Sequence, residues 1–104
     1  MANYVMVFKG GGMPETEEQQ KAVLAAWGVW YGSIGDRLVD GGNPFGPSAG
    51  VAAEGTVSEG APSGLTGYTI VKAESLGEAT EMVKGCPILT DGGSVEVYET
   101  YQVM

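Results

Sequence analysis

The chain has 104 residues, 43% of them hydrophobic, and 5 Lys and Arg against 13 Asp and Glu give it a formal charge of −8. That length is one domain, read as residues 1–104, with enough apolar content for a core but a large share of its surface left over. So acidic a chain repels phosphate backbones and anionic bilayers, which excludes nucleic acid and membrane surfaces as partners.

Cys86 is the only cysteine, so no internal disulfide can form, and nothing favours an oxidising compartment. The N-terminal "MANYVMVFKGGG" has no basic segment ahead of its apolar stretch and does not read as a signal peptide. The longest apolar-rich run, "AVLAAWGVWY", falls short of the roughly 20 residues that cross a bilayer. A soluble, cytoplasmic protein is expected.

In chain order, "NYVMVFK" at 3–9 is short and dense in β-branched and aromatic residues, which predicts a strand buried on both faces. "GGGMP" follows as a turn. Thr16 with Gln19 three residues on forms a capping box, and Glu15, Glu17 and Glu18 suit the positive end of a helix dipole. Val23, Trp27, Trp30, Ile34 and Leu38 then make one continuous helical stripe, ended by Gly41 and Gly42. Residues 50–58, "GVAAEGTVS", form a weaker strand and residues 66–73, "TGYTIVKA", a stronger one. Ser75 and Glu78 cap a second helix with Leu76, Ala79, Met82 and Val83 on its apolar side, and Gly85 and Pro87 stop it. In "GGSVEVYETYQV", Val95, Val97 and Glu99 alternate against Glu96, Tyr98 and Thr100, the period of a strand.

The order β-α-β-β-α-β is that of a ferredoxin-like α+β fold: an antiparallel four-stranded sheet with two helices on one face. The other face stays open. It would carry either Tyr4, Met6 and Phe8 or their neighbours Val5 and Val7, with Tyr98 and Tyr101 as candidates on the last strand. A bare apolar sheet face on a small domain predicts a homodimer, since large apolar patches are rare on monomers. Two such sheets face to face make a barrel-like pair with a cavity at each end.

The block "GYTIVKAESLGEATEMVKGCPILTDGGSVEVYETYQVM", residues 67–104, resembles the C-terminal half of YCII-related proteins, the family also called DGPF. The hallmark is a strand, a helix ending in "GCP" (Gly85, Cys86, Pro87), a short turn, and "GGSVEV" (Gly92 to Val97). "YVMVFKG" and the tryptophan-bearing helix match more loosely. The resemblance implies the dimeric α/β-barrel form of the fold. Members of the wider family often carry a histidine and an aspartate, proposed as an acid–base pair. This chain has no histidine. It also lacks the DGPF tetrapeptide, and "GNPFG" at 42–46 is only partly like it, so the pair is not carried over.

The residues themselves limit the chemistry. Gly10–Gly12 matches neither phosphate-loop spacing, and three glutamates just beyond would repel an anion. Asp36, Arg37 and Asp40 cluster near the aromatic helix, but off its apolar stripe, on what reads as a solvated face. Cys86 follows a helix C-terminus, where the dipole disfavours a thiolate, so it reads as a packing residue. With no histidine and one cysteine only carboxylates remain for a metal, without EF-hand spacing; no metal and no cofactor is expected. Trp27 and Trp30 read as core. Tyr31, Arg37, Asn43 and Phe45 remain as ligand-binding candidates, the last two on a glycine- and proline-rich loop that is a connection first and a pocket wall second.

Three functions fit. The first is a homodimer that binds a small molecule in a cavity at the dimer's sheet face. The second is a lyase- or isomerase-like enzyme with Asp36 or Glu96 as base and Tyr98 as acid. The third is a purely structural interaction module. The absence of histidine, the side chain that titrates nearest neutrality, favours the first.

Overall fold

Strand β1, Ala2–Lys9, alternates between two environments in the computed structural model, which describes residues 1–11 and 14–103. Tyr4, Met6 and Phe8 are buried, while Val5 and Val7 on the other face are only half covered. The expected burial on both faces is therefore corrected: every second residue is buried beneath the helices, and the described residues leave Val5 and Val7 only half covered. Gly12 of the glycine turn lies outside the described residues.

Helix α1, Glu17–Ile34, starts as its capping box predicts. Thr16 Oγ1 accepts from the Gln19 N–H at 3.1 Å, and Gln19 Oε1 accepts from the Glu15 N–H at 2.8 Å. Trp30 and Ile34 are buried and Val23 and Trp27 half-buried, as the stripe requires. The stripe does not run on to Leu38. Gly35, at φ 60°, breaks the helix, and one 3-10 turn at Gly35–Arg37 leads into strand β2, Leu38–Asp40. Leu38 lies opposite Val71 and packs against the same core from a strand instead. An apolar residue four positions past Ile34 satisfies both geometries, so spacing alone could not separate them.

The expected strand at 50–58 is likewise corrected. Strands β3, Ala49–Val51, and β4, Val57–Glu59, pair only with each other as a side hairpin. The chain reverses between them, with the Gly55 N–H donating to the Ala52 carbonyl at 2.8 Å. Strand β5, Leu65–Ala73, and strand β6, Ser94–Glu99, fall where their periodicity put them.

Helix α2, Leu76–Val83, is capped by Ser75, whose Oγ accepts from the Glu78 N–H at 3.1 Å. Ala79 and Val83 are buried, but Leu76 is exposed. The Trp30 indole donates to the Met82 carbonyl at 2.8 Å, satisfying one of the acceptors that a helix end leaves over. Gly85 lies against the same indole.

The sheet order is β2-β5-β1-β6, antiparallel throughout, with both helices on the face of Tyr4, Met6, Phe8, Thr69 and Val71. This is the ferredoxin-like α+β fold. Val5, Val7, Tyr68, Ile70, Glu96 and Tyr98 share the open face by strand phase and register.

Candidate functional site

The first wall of a cleft comes from the start of α1. Val23, Leu24, Trp27 and Tyr31 line one side of a cavity of about 320 Å³, with Phe8 of β1 and Ile88 among its other lining residues. The opposite side is the loop Gly41–Pro44 together with Thr66–Tyr68 of β5. Four rings pack together at this end of the core: Phe8 and Trp27 meet edge-on at 5.4 Å, Trp27 and Trp30 edge-on at 5.5 Å, and Trp27 and Tyr31 lie tilted at 5.8 Å. Trp27 therefore belongs to both the core and the cleft.

The loop is held tightly. Asp40 Oδ1 accepts from the Gly42 N–H at 2.8 Å, which gives Asp40 a structural task. The Gly41 carbonyl accepts from the Tyr31 hydroxyl at 3.1 Å and from buried Thr69 Oγ1 at 3.0 Å. Pro44 bridges to Gly67, and the Phe45 N–H donates to the Thr66 carbonyl at 2.9 Å. Phe45 stacks on Tyr68 at 5.8 Å and 19°, pinning the loop rather than lining the cavity.

Of the sequence candidates, Tyr31 and Asn43 meet at this cleft. Arg37 is engaged elsewhere, paired with Glu78 of α2. Asp36 is exposed on the 3-10 turn. Glu96 and Tyr98 lie across the sheet, where the Tyr98 hydroxyl donates to Glu96 Oε1 at 3.1 Å. That bond and the carboxylate's charge hold the phenol above its ordinary range. The cleft is thus on the helix side of the sheet, not on the open face where the sequence reading put a cavity. The sequence marks none of Phe8, Val23, Leu24 and Ile88 as a site residue, because an apolar residue lining a cleft carries the same signal as one filling a core. The exposure of Leu24, at 71%, shows only in three dimensions.

Among the described lining residues there is no His, Cys, Asp, Glu, Lys or Arg. No described group of three or more His, Cys, Asp or Glu is placed to hold a metal ion. No helix among the described residues is long and apolar enough to cross a membrane. The arrangement can bind and orient an apolar ring.

Cys86 is 2% exposed, and burial pushes its thiol up to about 11. A two-unit rise leaves about a hundredfold less thiolate at neutral pH, so labelling of the folded chain is expected to be at least that much slower than in denaturant. The stabilisation tied to this thiol is complete below pH 9.0 and is lost as pH rises from there through about 11, because the unfolded chain ionises first. Rapid labelling of the folded chain near pH 7 would make Cys86 a nucleophile candidate again.

No protein-family model matches the chain, and no curated protein does. Among solved structures, 5-chloro-2-hydroxyhydroquinone dehydrochlorinase from Burkholderia phenoliruptrix AC1100, in complex with 2,5-dihydroxybenzoquinone, matches with a TM-score of 0.57 at 16% identity, covering 96% of this chain and 93% of that chain. At that identity the likeness speaks for the fold and not for the chemistry.

Proposed function

We propose that this chain is a YCII-related small-molecule-binding protein whose ligand occupies the cleft between α1 and the Gly41–Pro44 loop, and that a second copy covers its open sheet face. The observation that carries the binding reading is the cleft itself. It is concave and walled by Trp27 and Tyr31, and exposed Asn43, whose side chain has no hydrogen-bond partner among the described residues, stands on its loop side. At about 320 Å³ it sits at the small end of ligand cavities, the size for one or two rings. The solved chain of the same fold holds 2,5-dihydroxybenzoquinone, a single-ring compound of that size class.

Titration of the full chain with one- and two-ring aromatic compounds, followed by calorimetry and tryptophan emission, tests the reading. Binding in the micromolar to millimolar range is expected, with Asn43→Ala weakening it about three- to tenfold through one lost hydrogen bond. If no such compound binds, the structural-module reading takes over.

The Tyr98–Glu96 pair favours a second reading, an acid–base site enclosed between two copies. Glu96→Gln separates the two. It should leave ring binding unchanged if the cleft is the site, and should alter it if the sheet face is.

A further inference from the structure

We infer that the cleft selects an uncharged aromatic ligand bearing a hydrogen-bond donor, a phenol or an aromatic amine, over carboxylates and over rings that only accept. The inference rests on the reading of the cleft as the ligand site, and two observations about that site support it independently.

The first is charge. The chain has 5 Lys and Arg, and none of them lines the cleft. Arg37 is paired with Glu78, and Lys84 with Glu81 at 2.7 Å. Lys72 belongs to the open-face phase of β5. Lys9 and Lys21 are exposed and outside the lining. An anion entering this apolar wall would give up its hydration with no counter-charge, inside a protein of net charge −8.

The second is the direction of the hydrogen bonds. A carbonyl oxygen can only accept, so a hydroxyl bonded to one has committed its proton. The Tyr31 hydroxyl donates to the Gly41 carbonyl at 3.1 Å, and the Thr66 hydroxyl to the Gly10 carbonyl at 3.3 Å. Both hydroxyls of these lining residues therefore have only lone pairs left to offer. The Asn43 amide adds both an acceptor and a donor, and the Trp27 indole N–H is a further side-chain donor of the lining with no hydrogen-bond partner among the described residues. A ligand that donates finds more partners here than one that accepts. Trp27 and Tyr31 supply the ring contacts.

Three probes of one shape decide it: naphthol, its methyl ether and naphthoate, each titrated into the full-length protein by calorimetry near neutral pH. A phenol-type hydroxyl keeps its proton there and a carboxylic acid does not. Naphthol is expected to bind tightest, with the ether about three- to tenfold weaker and naphthoate at least about tenfold weaker. Leu24→Arg places a cation on an exposed position of the rim and is expected to narrow or reverse the gap to naphthoate without disturbing the fold. An ether or a naphthoate that matches naphthol on the parent chain overturns the inference and leaves the cleft as a binding site. So does naphthoate binding that disappears with Lys21→Ala. Failure of all three probes to bind removes the site reading itself, and this inference with it.

Discussion

Replacing Gly42 by alanine is expected to destabilise the chain by upward of about 3 kcal/mol, or to prevent folding. Gly42 holds φ at +74°, a backbone state that L side chains rarely adopt. A Cβ there would stand 1.7 Å from the Tyr68 carbonyl oxygen. That oxygen belongs to the central region of β5 and cannot swing aside as the end of a side chain can. The loop must move instead, and with it would go the Asp40–Gly42 bond, the shared Gly41 carbonyl and the cleft wall. Gly28 is the internal control. It lies inside α1 with no described atom beyond its own stretch of helix backbone within 4 Å of an added Cβ, so Gly28→Ala is expected to stabilise by about 0.5–1 kcal/mol. Urea denaturation at fixed protein concentration reads both. A Gly42→Ala midpoint indistinguishable from the parent's would mean that the loop is not held as described.

Much of this fold is legible in the residues themselves. Ser75 and Thr16 announce their helices because a side-chain oxygen placed three residues before an orphan amide is a local device, independent of anything distant in the chain. In β6, Val95 and Val97 separate from Glu96 and Tyr98 because one sheet face is covered and the other is not. The errors arise where two geometries share one spacing. Leu38 fits the helical stripe, yet Gly35 turns the chain so that the same leucine reaches the same core from β2. The run at 50–58 has strand composition, but no free edge of the main sheet takes it, and it pairs with itself. The site was half legible. Tyr31 and Asn43 stood out as polar groups among aromatic and glycine residues, whereas Val23, Leu24 and Ile88 had nothing local to mark them. That the cleft lies on the helix side depends on the register of Pro44 against Gly67, a pairing across 23 residues (67 − 44) that no local pattern encodes.

In light scattering at micromolar concentration the chain is expected to show about twice its mass of 10.7 kDa, and Val7→Lys is expected to return it to the single-chain value. The second copy is argued from the molecule's own surface. The radius of gyration is 15.2 Å, against about 13 Å for a compact chain near this length, so the single chain leaves much of itself unenclosed. Val5, Val7 and Ile70 form an apolar strip on the open face, flanked by Tyr68 and by Tyr98, which is 54% exposed. Lys72 and Glu96 stand at opposite corners of that strip, so a two-fold contact can set each against the other copy's opposite charge. Val7 lies directly across from Glu96. A lysine at that position gains an opposite charge within its own sheet and leaves the fold intact, but it buries an ammonium if the two faces meet. A weakening of at least about a hundredfold is expected, which is dissociation at working concentrations. A parent mass of 10.7 kDa across the micromolar range would remove the second copy outright. Because the cleft lies on the other side of the sheet, the Val7→Lys chain should bind naphthol as the parent does. Loss of binding together with loss of the dimer would move the ligand to the sheet face, beside Glu96 and Tyr98.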